Sequence, residues 1–267
     1  MNESGENVKL SAGNSRLKEI RKLARRAVRT ERRVFLADGP KAVEGALDVP
    51  GCVQEIFATE AGAEAYASVL AGQPVTLVED RAMAGLSDSV TPAGVVALCR
   101  FLDVPLGDIA GPLVVICANV RDPGNAGTVI RCADAAGASG VILAGDSVDL
   151  YNPKTIRASV GSAFHLPIAI ERDPLVAVKA AKAAGLTVLA ADMHGTADLF
   201  TADALLARPT AWLMGNEAWG LPPELAAEAD EIVSIPIFGR AESLNLSTAA
   251  ALCVYASAKA QRREVSS

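Results

Sequence analysis

Long apolar runs are absent from this chain. Although 51% of its 267 residues are apolar, no uninterrupted run approaches the roughly 20 residues of a membrane-spanning helix. The first ten residues, MNESGENVKL, are polar and include no apolar signal segment. We therefore expect a protein with no membrane segment that works in the cytoplasm.

Metal and disulfide patterns are also absent. The five cysteines, at positions 52, 99, 117, 132 and 253, form no C-x-x-C pair and mostly lie in apolar stretches. This spacing predicts reduced, buried thiols and argues against a zinc site or a disulfide framework. Because His165 and His194 are isolated in the sequence, we expect neither a metal site nor a histidine-based catalytic triad.

The usual nucleotide-binding motifs are missing as well. No G-x-G-x-x-G follows a predicted strand, and no G-x-x-x-x-G-K-[ST] occurs. These absences exclude the common dinucleotide and P-loop sites. Any cofactor must therefore be held by loops built from several strand ends.

Positive charge is concentrated in one segment. The net charge is −6, yet residues 16–33 hold nine lysines and arginines against two glutamates, a local charge of +7. Apolar residues recur there near helical spacing, which predicts one amphipathic basic helix; they are Leu17, Ile20, Ala24, Ala27 and Val28. A solvated basic face is one interpretation. Because the rest of the chain is acidic, we favour a polyanion partner; a membrane surface is disfavoured because the apolar face lacks Trp or Phe.

Two α/β units are predicted along the chain. In the first, strands at 34–36, 53–59, 74–78 and 94–100 alternate with helices at 41–47, 62–70 and 81–86. Residues 103–112, with two prolines and two glycines, form the linker. In the second, strands are predicted at 113–120, 141–144, 166–170, 187–190, 211–214 and 231–237. Its helices are predicted at 125–136, 152–162, 174–184 and 222–228. Six strands with crossovers predict a parallel sheet covered on both faces.

The first stretch with chemical character follows the strand at 113–120. It reads NVRDPGNAGTVIR over residues 119–131, in which Asn125 is suited to cap the helix and Gly127 is a costly residue in a first helical turn. Arg131 lies four residues after Gly127, on the same helix face. By itself this pattern is also compatible with an ordinary capped helix.

Two further stretches lie at later strand ends. Residues 213–221, LMGNEAWGL, place Glu217 and Trp219 between two glycines, in a position where open α/β sheets bind ligands. Residues 235–255 read IPIFGRAESLNLSTAAALCVY. There, Asn and Ser side chains suited to bond helix N-terminal N–H groups precede an Ala-rich helix over 249–260 that is expected to pack tightly.

These three stretches, in this order, resemble the SpoU (TrmH-like) branch of the SPOUT RNA methyltransferases. The matching motifs are NAGTVIR at 125–131, MGNEAWG at 214–220, and the run from Ile235-Pro236 to SLNLS at 243–247. Residues 33–100, which begin VFLADGP at position 34, resemble the L30e-like substrate domain of rRNA members of that branch. The basic segment is similar to the leader of thiostrepton-resistance-type 23S rRNA enzymes. The implied division is a leader at 1–32, a substrate-binding domain at 33–102, a linker at 103–112 and a catalytic domain at 113–267.

The resemblance implies a parallel sheet with a C-terminal trefoil knot, a homodimer, and S-adenosylmethionine as cofactor. The implied activity is methylation of a ribose 2′-hydroxyl, with 23S rRNA as the expected substrate. The implied catalytic residues are Asn125, Arg131, Glu217, Ser243 and Asn245. The implied cofactor-binding residues are Leu213, Met214, Gly215, Asn216, Gly220, Ile235, Ile237, Leu244, Asn245 and Ser247. The candidate RNA-binding residues are Arg21, Arg25, Arg26, Arg29, Arg32, Arg33 and Arg157.

The role of Arg131 stays open between a base and a phosphate clamp, although arginine side chains remain protonated in proteins. Glu217 is expected to orient Arg131 or the ribose. Three other functions are compatible with parts of the sequence: a tRNA 2′-O-methyltransferase, a knotted RNA-binding protein without activity, and a general α/β enzyme acting on small molecules. The basic segment disfavours the last of these, and the complete set of motif residues disfavours the second.

Overall fold

The computed structural model describes residues 9–264, which form two compact units. The N-terminal unit contains the described residues up to Leu102 together with Tyr151–Phe164, and the C-terminal unit contains Asp103–Leu150 and the described residues from His165 onward. The predicted absence of a signal segment falls largely on residues 1–8, which lie outside the described residues. No helix in the described part combines the length and apolar character needed to span a bilayer.

The strands are numbered in chain order. They are β1 (Val34–Asp38), β2 (Val53–Ala58), β3 (Val75–Leu77), β4 (Val95–Arg100), β5 (Leu113–Ala118), β6 (Gly140–Ala144), β7 (Ile168–Glu171), β8 (Thr187–Ala191), β9 (Ala197–Asp198), β10 (Thr210–Met214) and β11 (Glu231–Ser234).

The α-helices are numbered in the same way. They are α1 (Ser15–Arg21), α2 (Arg26–Arg32), α3 (Pro40–Leu47), α4 (Glu60–Ala65), α5 (Asp80–Leu86), α6 (Pro123–Ala136), α7 (Pro153–Ser159), α8 (Pro174–Ala183), α9 (Asp203–Leu206), α10 (Pro223–Ala226) and α11 (Leu246–Glu264).

The N-terminal unit is built on a sheet with the order β1-β4-β2-β3. Strand β4 is antiparallel to both of its neighbours, with Phe35 opposite Cys99 across the β1–β4 pair, while β2 and β3 are parallel. These four strands confirm the alternating α/β pattern that the sequence predicts for residues 34–100.

The C-terminal unit contains a parallel sheet with the order β7-β6-β5-β10-β8-β11-β9 in the described residues. One face of β5, with Val114 and Ile116, packs against Ala177 and Val178 of α8. On the other face Trp212 of β10 is fully buried, and its Nε1 donates to Ser257 Oγ of α11 at 2.9 Å. The predicted parallel sheet with helices on both faces is confirmed, with the short edge strand β9 as an addition.

The basic segment is not one helix, so that prediction was wrong. Helices α1 and α2 are separated by a 3₁₀ turn at Lys22–Ala24 and by Arg25 in extended conformation, with φ −89° and ψ 126°. The interruption frees carbonyl groups at Leu23 and Ala24, and Arg29 Nη1 donates to them at 2.6 and 2.9 Å. An arginine that bonds the last carbonyls of a helix stabilises such an end.

The same segment contributes to the core of the N-terminal unit. Leu17, Ile20 and Leu23 are 0%, 6% and 3% exposed and pack with Phe57 and Met83. Ala24 and Ala27, which the helical spacing assigned to the apolar face, are exposed. The leader is therefore an integral part of this unit.

The segment Tyr151–Phe164 lies within the predicted domain 113–267, yet its aromatic side chains pack in the N-terminal unit. The Tyr151 ring stacks on Phe101 with centroids 3.6 Å apart and lies 4.7 Å from the Phe35 ring. Its hydroxyl accepts a hydrogen bond from the Leu102 N–H at 2.5 Å. Phe164 also stacks on Phe35, with centroids 6.1 Å apart.

Candidate functional site

Three loops follow β5, β10 and β11 at the carboxyl edge of the parallel sheet, and they carry the three motifs. After β5 the chain turns into α6, whose N-cap is Asp122: its carboxylate accepts the Asn125 N–H at 2.7 Å. The prediction that Asn125 is the N-cap was wrong, because the cap lies three residues earlier, at Asp122. Because Asp122 satisfies that end of the helix, the Asn125 side chain is available for contacts with the other loops.

Glu217, in the loop after β10, is bound to the first motif. Its carboxylate accepts the backbone N–H groups of Arg121 and Asp122 at 3.2 and 3.1 Å and the Asn125 Nδ2 at 3.3 Å. The described hydrogen bonds of Glu217 do not include Arg131. In this structure Glu217 therefore orients the first-motif loop, a role that the sequence did not predict.

Asn245 joins the third motif to the first. Its Nδ2 donates to Asn125 Oδ1 at 3.1 Å, and its Oδ1 accepts both the N–H and the hydroxyl of Ser247, at 2.9 and 2.6 Å. The latter contacts cap the start of α11, as the sequence predicts for this Asn-Leu-Ser stretch. Asn125 thus lies between Glu217 and Asn245, and its amide links all three loops.

The loop after β10 is held in a compact form by its own backbone. Asn216 and Gly220 exchange two N–H···O=C hydrogen bonds, both 2.9 Å long. Asn216 Nδ2 also donates to the Asn119 carbonyl at 2.7 Å. A Cβ at Gly215 would lie 2.5 Å from the Gly220 carbonyl carbon, so this position requires glycine for steric reasons.

Arg131 and Ser243 stand apart from this hydrogen-bonded cluster. Both side chains are exposed, and within residues 9–264 neither makes a hydrogen bond or an ion pair. The structure brings together Asn125, Glu217, Asn245 and Ser247. It leaves Arg131 and Ser243 with unoccupied polar groups that face solvent.

The predicted cofactor residues supply mainly backbone groups. Leu213, Met214 and Asn216 are buried, and the Asn216 amide is bonded to the Asn119 carbonyl and to the Ala218 N–H, so these side chains are not available to a ligand. Among the described residues, no backbone–backbone hydrogen bond involves residues 235–244. The N–H and C=O groups of that loop, which includes Ile235, Ile237 and Leu244, are free to bind a ligand with several polar groups. This donor and acceptor set fits an adenosine and an amino-acid moiety.

The candidate RNA-binding arginines differ in what they contact. Arg25 and Arg26 are exposed, whereas Arg29 is 3% exposed and bonds the chain's own carbonyls. Arg32 pairs with Glu19 at 2.9 Å, and Arg33 lies over the Phe101 ring, 4.6 Å from its centroid.

Arg157 and Arg21 complete the set. Arg157 lies 3.7 and 3.5 Å from the carboxylates of Asp38 and Asp88. Arg21 donates Nη1 to the Ala12 carbonyl at 2.8 Å, while its buried Nε and Nη2 have no partner in the described residues. It lines a cavity of about 210 Å³ together with Arg29.

The remaining titratable side chains do not form a metal site. Among the described residues, no group of three or more His, Cys, Asp or Glu side chains is arranged to hold a metal. His165 Nδ1 lies 2.8 Å from the Asp134 carboxylate. Cys132 is half-buried and the other four cysteines are buried, which confirms the predicted burial for those four.

Sequence reasoning missed Asp122 and Arg121 as members of the site. The Asp-Pro pair at 122–123 is a recognisable helix start, since proline is favoured at the first helical position after a capping aspartate. That signal identifies Asp122 as the N-cap. The place of Arg121 depends on a contact with Trp219 across two loops, for which the sequence holds no comparable signal.

Comparison with known proteins is consistent with this geometry. Residues 112–255 match the model of the SpoU rRNA Methylase family, and residues 14–97 match the MRM3-like substrate binding domain. The chain is 33% identical over 245 residues to the 23S rRNA (guanosine(2553)-2′-O)-methyltransferase RlmP of Bacillus subtilis, covering 92% of this chain and 96% of that protein.

Solved structures show the same fold. An AdoMet-bound rRNA methyltransferase from Sinorhizobium meliloti superposes with a TM-score of 0.83 at 37% identity, covering 97% of this chain and 98% of that one. The SpoU methyltransferase AviRb from Streptomyces viridochromogenes, in complex with AdoMet, gives a TM-score of 0.81 at 30% identity, covering 95% and 100%. The motif match over more than half of the chain and the full-length similarity lead to one conclusion: this chain belongs to the SpoU rRNA methylase family.

Proposed function

We propose that this protein transfers a methyl group from S-adenosylmethionine to a ribose 2′-hydroxyl of rRNA, with 23S rRNA as its substrate. The observation that carries the proposal is the Asn125 amide, which links Glu217 and Asn245 and so joins three strand-end loops of a SpoU-family chain. Relatives named as 23S rRNA 2′-O-methyltransferases support the substrate and the reaction.

Cofactor binding is assigned to the loops after β10 and β11. Two related structures contain AdoMet, and the backbone groups of residues 235–244 make no hydrogen bond to the backbone of any other described residue. Backbone atoms of Met214, Gly215, Ile235, Ile237 and Leu244 would hold the cofactor, which supplies a sulfonium methyl group to the reaction. Gly220, Leu213, Asn216 and Ser247 shape the same loops.

The protein's own contribution is to position the substrate. Glu217 and Asn245 fix Asn125 and the start of α6, so that the attacking ribose oxygen meets a preorganised surface; such alignment lowers barriers by several kcal/mol or more. Arg131 keeps its guanidinium exposed, and no residue in the described part of the chain bonds to it. Since arginine stays protonated, we assign it to clamping a phosphate next to the target ribose, and the hydroxyl proton leaves to water or to phosphate. Ser243 is assigned to RNA contact.

The N-terminal unit is assigned to RNA binding. Residues 14–97 match a substrate binding domain, and the exposed Arg25 and Arg26 carry positive charge that is not used in the core. Electrostatic contact with phosphates supplies much of the affinity of such surfaces. The division at residues 32, 102 and 112 remains part of this proposal, with the leader packed into the substrate domain and Tyr151–Phe164 belonging to that same unit.

We further propose a homodimer that works in the cytoplasm and contains a C-terminal trefoil knot. Leu252 and Tyr255 on α11 are 37% and 50% exposed, which gives this helix an apolar surface suited to a second copy. The knot is supported by the position of β10 between β5 and β8 in the sheet. It is also supported by the hydrogen bond from Asn245, in the loop after β11, to Asn125, at the start of α6 after β5.

The test is a methylation reaction with purified protein, labelled S-adenosylmethionine and a 23S rRNA transcript. Nuclease digestion and mass spectrometry are expected to yield one 2′-O-methylnucleoside. If tRNA is methylated and the 23S rRNA transcript is not, the substrate is tRNA and the proposal of rRNA is wrong. Cofactor binding by calorimetry without transfer to either RNA would support an RNA-binding protein that lacks activity.

A further inference from the structure

The two tryptophans of the chain differ in their surroundings. Trp212 is fully buried, and its indole nitrogen bonds to Ser257. Trp219 is 54% exposed, although its loop is closed by backbone hydrogen bonds between Asn216 and Gly220. Tryptophan is enriched at interfaces because its large ring buries apolar area while its N–H stays able to bond, and here the exposed ring stands on a loop that is closed by its own hydrogen bonds.

One face of the Trp219 ring is covered by Arg121. The guanidinium carbon lies 5.1 Å from the ring centroid, within the range of a cation–π contact. The same guanidinium is 3.5 Å from the Asp146 carboxylate, but the two side chains are 57% and 83% exposed. An exposed ion pair of this kind fixes a side chain weakly, so Arg121 has donors available for a phosphate or a base edge.

Both residues are attached to the hydrogen-bonded cluster of the candidate site. The Arg121 N–H donates to Glu217 Oε2 at 3.2 Å. Trp219 follows Glu217 by two residues, and the Ala218 N–H between them donates to the Asn216 side chain at 2.8 Å. The aromatic ring and the guanidinium are therefore held beside the residues assigned to the target ribose.

We propose that Trp219 and Arg121 form a stacking platform for an unstacked base of the RNA substrate, next to the loops assigned to positioning the target ribose. This inference rests on the proposed function. Proteins recognise unpaired RNA bases by stacking them on aromatic rings or guanidinium planes, and every base has a face suited to such a contact. Sequence-specific recognition of RNA targets mainly loops, bulges and ends whose bases are already unpaired, so an unpaired base of the substrate is the ligand expected at this platform.

The first experiment measures methyl transfer to a 23S rRNA transcript at varied RNA concentration. Removing a stacking aromatic weakens RNA binding by roughly 5- to 150-fold, so Trp219→Ala should raise KM for RNA by at least about fivefold while S-adenosylmethionine affinity changes by less than about twofold. Trp219→Phe keeps a ring and should recover most of the loss. Val176→Ala, which removes an exposed apolar side chain of α8, is the matched control.

The second experiment reads the contact directly and does not depend on activity. Stacking of a base should quench the emission of Trp219 when single-stranded 12-mers of adenylate or uridylate are added, and Trp219→Phe should abolish that quenching. Arg121→Gln should reduce it, and Arg121→Lys should restore it only in part, since lysine lacks the planar group.

The results separate this inference from the proposed function. If RNA quenches the emission of Trp219 in a protein that transfers no methyl group, the stacking platform is supported and the proposed methyl transfer is refuted. If Trp219→Ala transfers methyl groups normally with an unchanged KM for RNA, the stacking platform is refuted and the proposed methyl transfer is supported. Quenching by S-adenosylmethionine alone, with no effect of RNA, would assign Trp219 to the cofactor and also overturn the inference.

Discussion

Replacing Gly215 with alanine would place a methyl group inside the loop that follows β10. The new Cβ would lie 2.5 and 2.6 Å from the carbonyl carbon and oxygen of Gly220 and 2.7 Å from the Leu221 nitrogen. All three are backbone atoms, so no side-chain rotation can relieve the overlap. The loop has to move until these distances reach at least the 3.4 Å of ordinary contact.

The size of the effect follows from what this movement disrupts. Overpacking of this kind typically costs about 1–3 kcal/mol, and the two Asn216–Gly220 backbone hydrogen bonds each contribute about 0.5–1.5 kcal/mol. We expect Gly215→Ala to lower the free energy of unfolding by about 1–3 kcal/mol if both hydrogen bonds survive, and by about 2–6 kcal/mol if both are lost. Since the same loop is assigned to the cofactor, S-adenosylmethionine affinity should fall about tenfold or more, which corresponds to about 1.4 kcal/mol.

Urea unfolding followed by tryptophan fluorescence measures the first quantity, and titration calorimetry measures the second. Gly107→Ala is the matched control, because no heavy atom lies within 4 Å of its added Cβ; its stability should stay within about 0.5 kcal/mol of the parent. If Gly215→Ala behaves like this control in both assays, the loop is not the close-packed cofactor support described above.

Three further predictions concern charge, thiol chemistry and assembly. The double variant Arg25→Gln/Arg26→Gln should weaken rRNA binding and lower the slope of log K against log salt by up to about two without loss of folding, and an unchanged slope would remove these arginines from the RNA surface. Burial raises the pKa of the Cys117 thiol to about 12, whereas Cys132 is only half-buried. Iodoacetamide at pH 8 should therefore label Cys132 before Cys117. Equal labelling rates of these two thiols would contradict the packing of β5. Light scattering should give twice the chain mass of 27.5 kDa, and the mass of one chain at micromolar concentration would argue against the homodimer.

Much of the sheet could be predicted from the sequence because parallel strands are buried on both faces. The run at 113–118 is apolar throughout, and β5 is correspondingly buried along its whole length. The cap of α11 was equally predictable, since Asn245 and Ser247 are residue types that bond free N–H groups, although the helix begins at Leu246 and not at the predicted Ala249. The motifs at 125–131 and 214–220 then located the strand-end loops that the structure joins through Asn125.

The features that escaped prediction depend on tertiary contacts. No glycine or proline marks the break at Arg25; it is stabilised by Arg29, which binds the carbonyls of Leu23 and Ala24. Likewise, the segment Tyr151–Phe164 packs in the N-terminal unit through aromatic contacts that its position in the sequence does not reveal. Local patterns report secondary structure well, but they do not report which distant side chain completes a contact.

Arg131 is the residue on which the account of methyl transfer depends most. Its guanidinium is exposed on α6 and has no protein partner among the described residues, while the cofactor is assigned to backbone groups of other loops. Arg131→Ala should therefore abolish transfer of methyl groups to 23S rRNA and leave S-adenosylmethionine affinity within about twofold. Arg131→Lys should also be poor, since lysine keeps the charge but loses the bidentate fork that binds phosphate.

The most direct measurement is single-turnover methyl transfer to a 23S rRNA transcript by Arg131→Ala, with cofactor affinity measured on the same preparation. The account predicts intact cofactor binding and no detectable 2′-O-methylnucleoside. Transfer at the parental rate would contradict the assignment of this site.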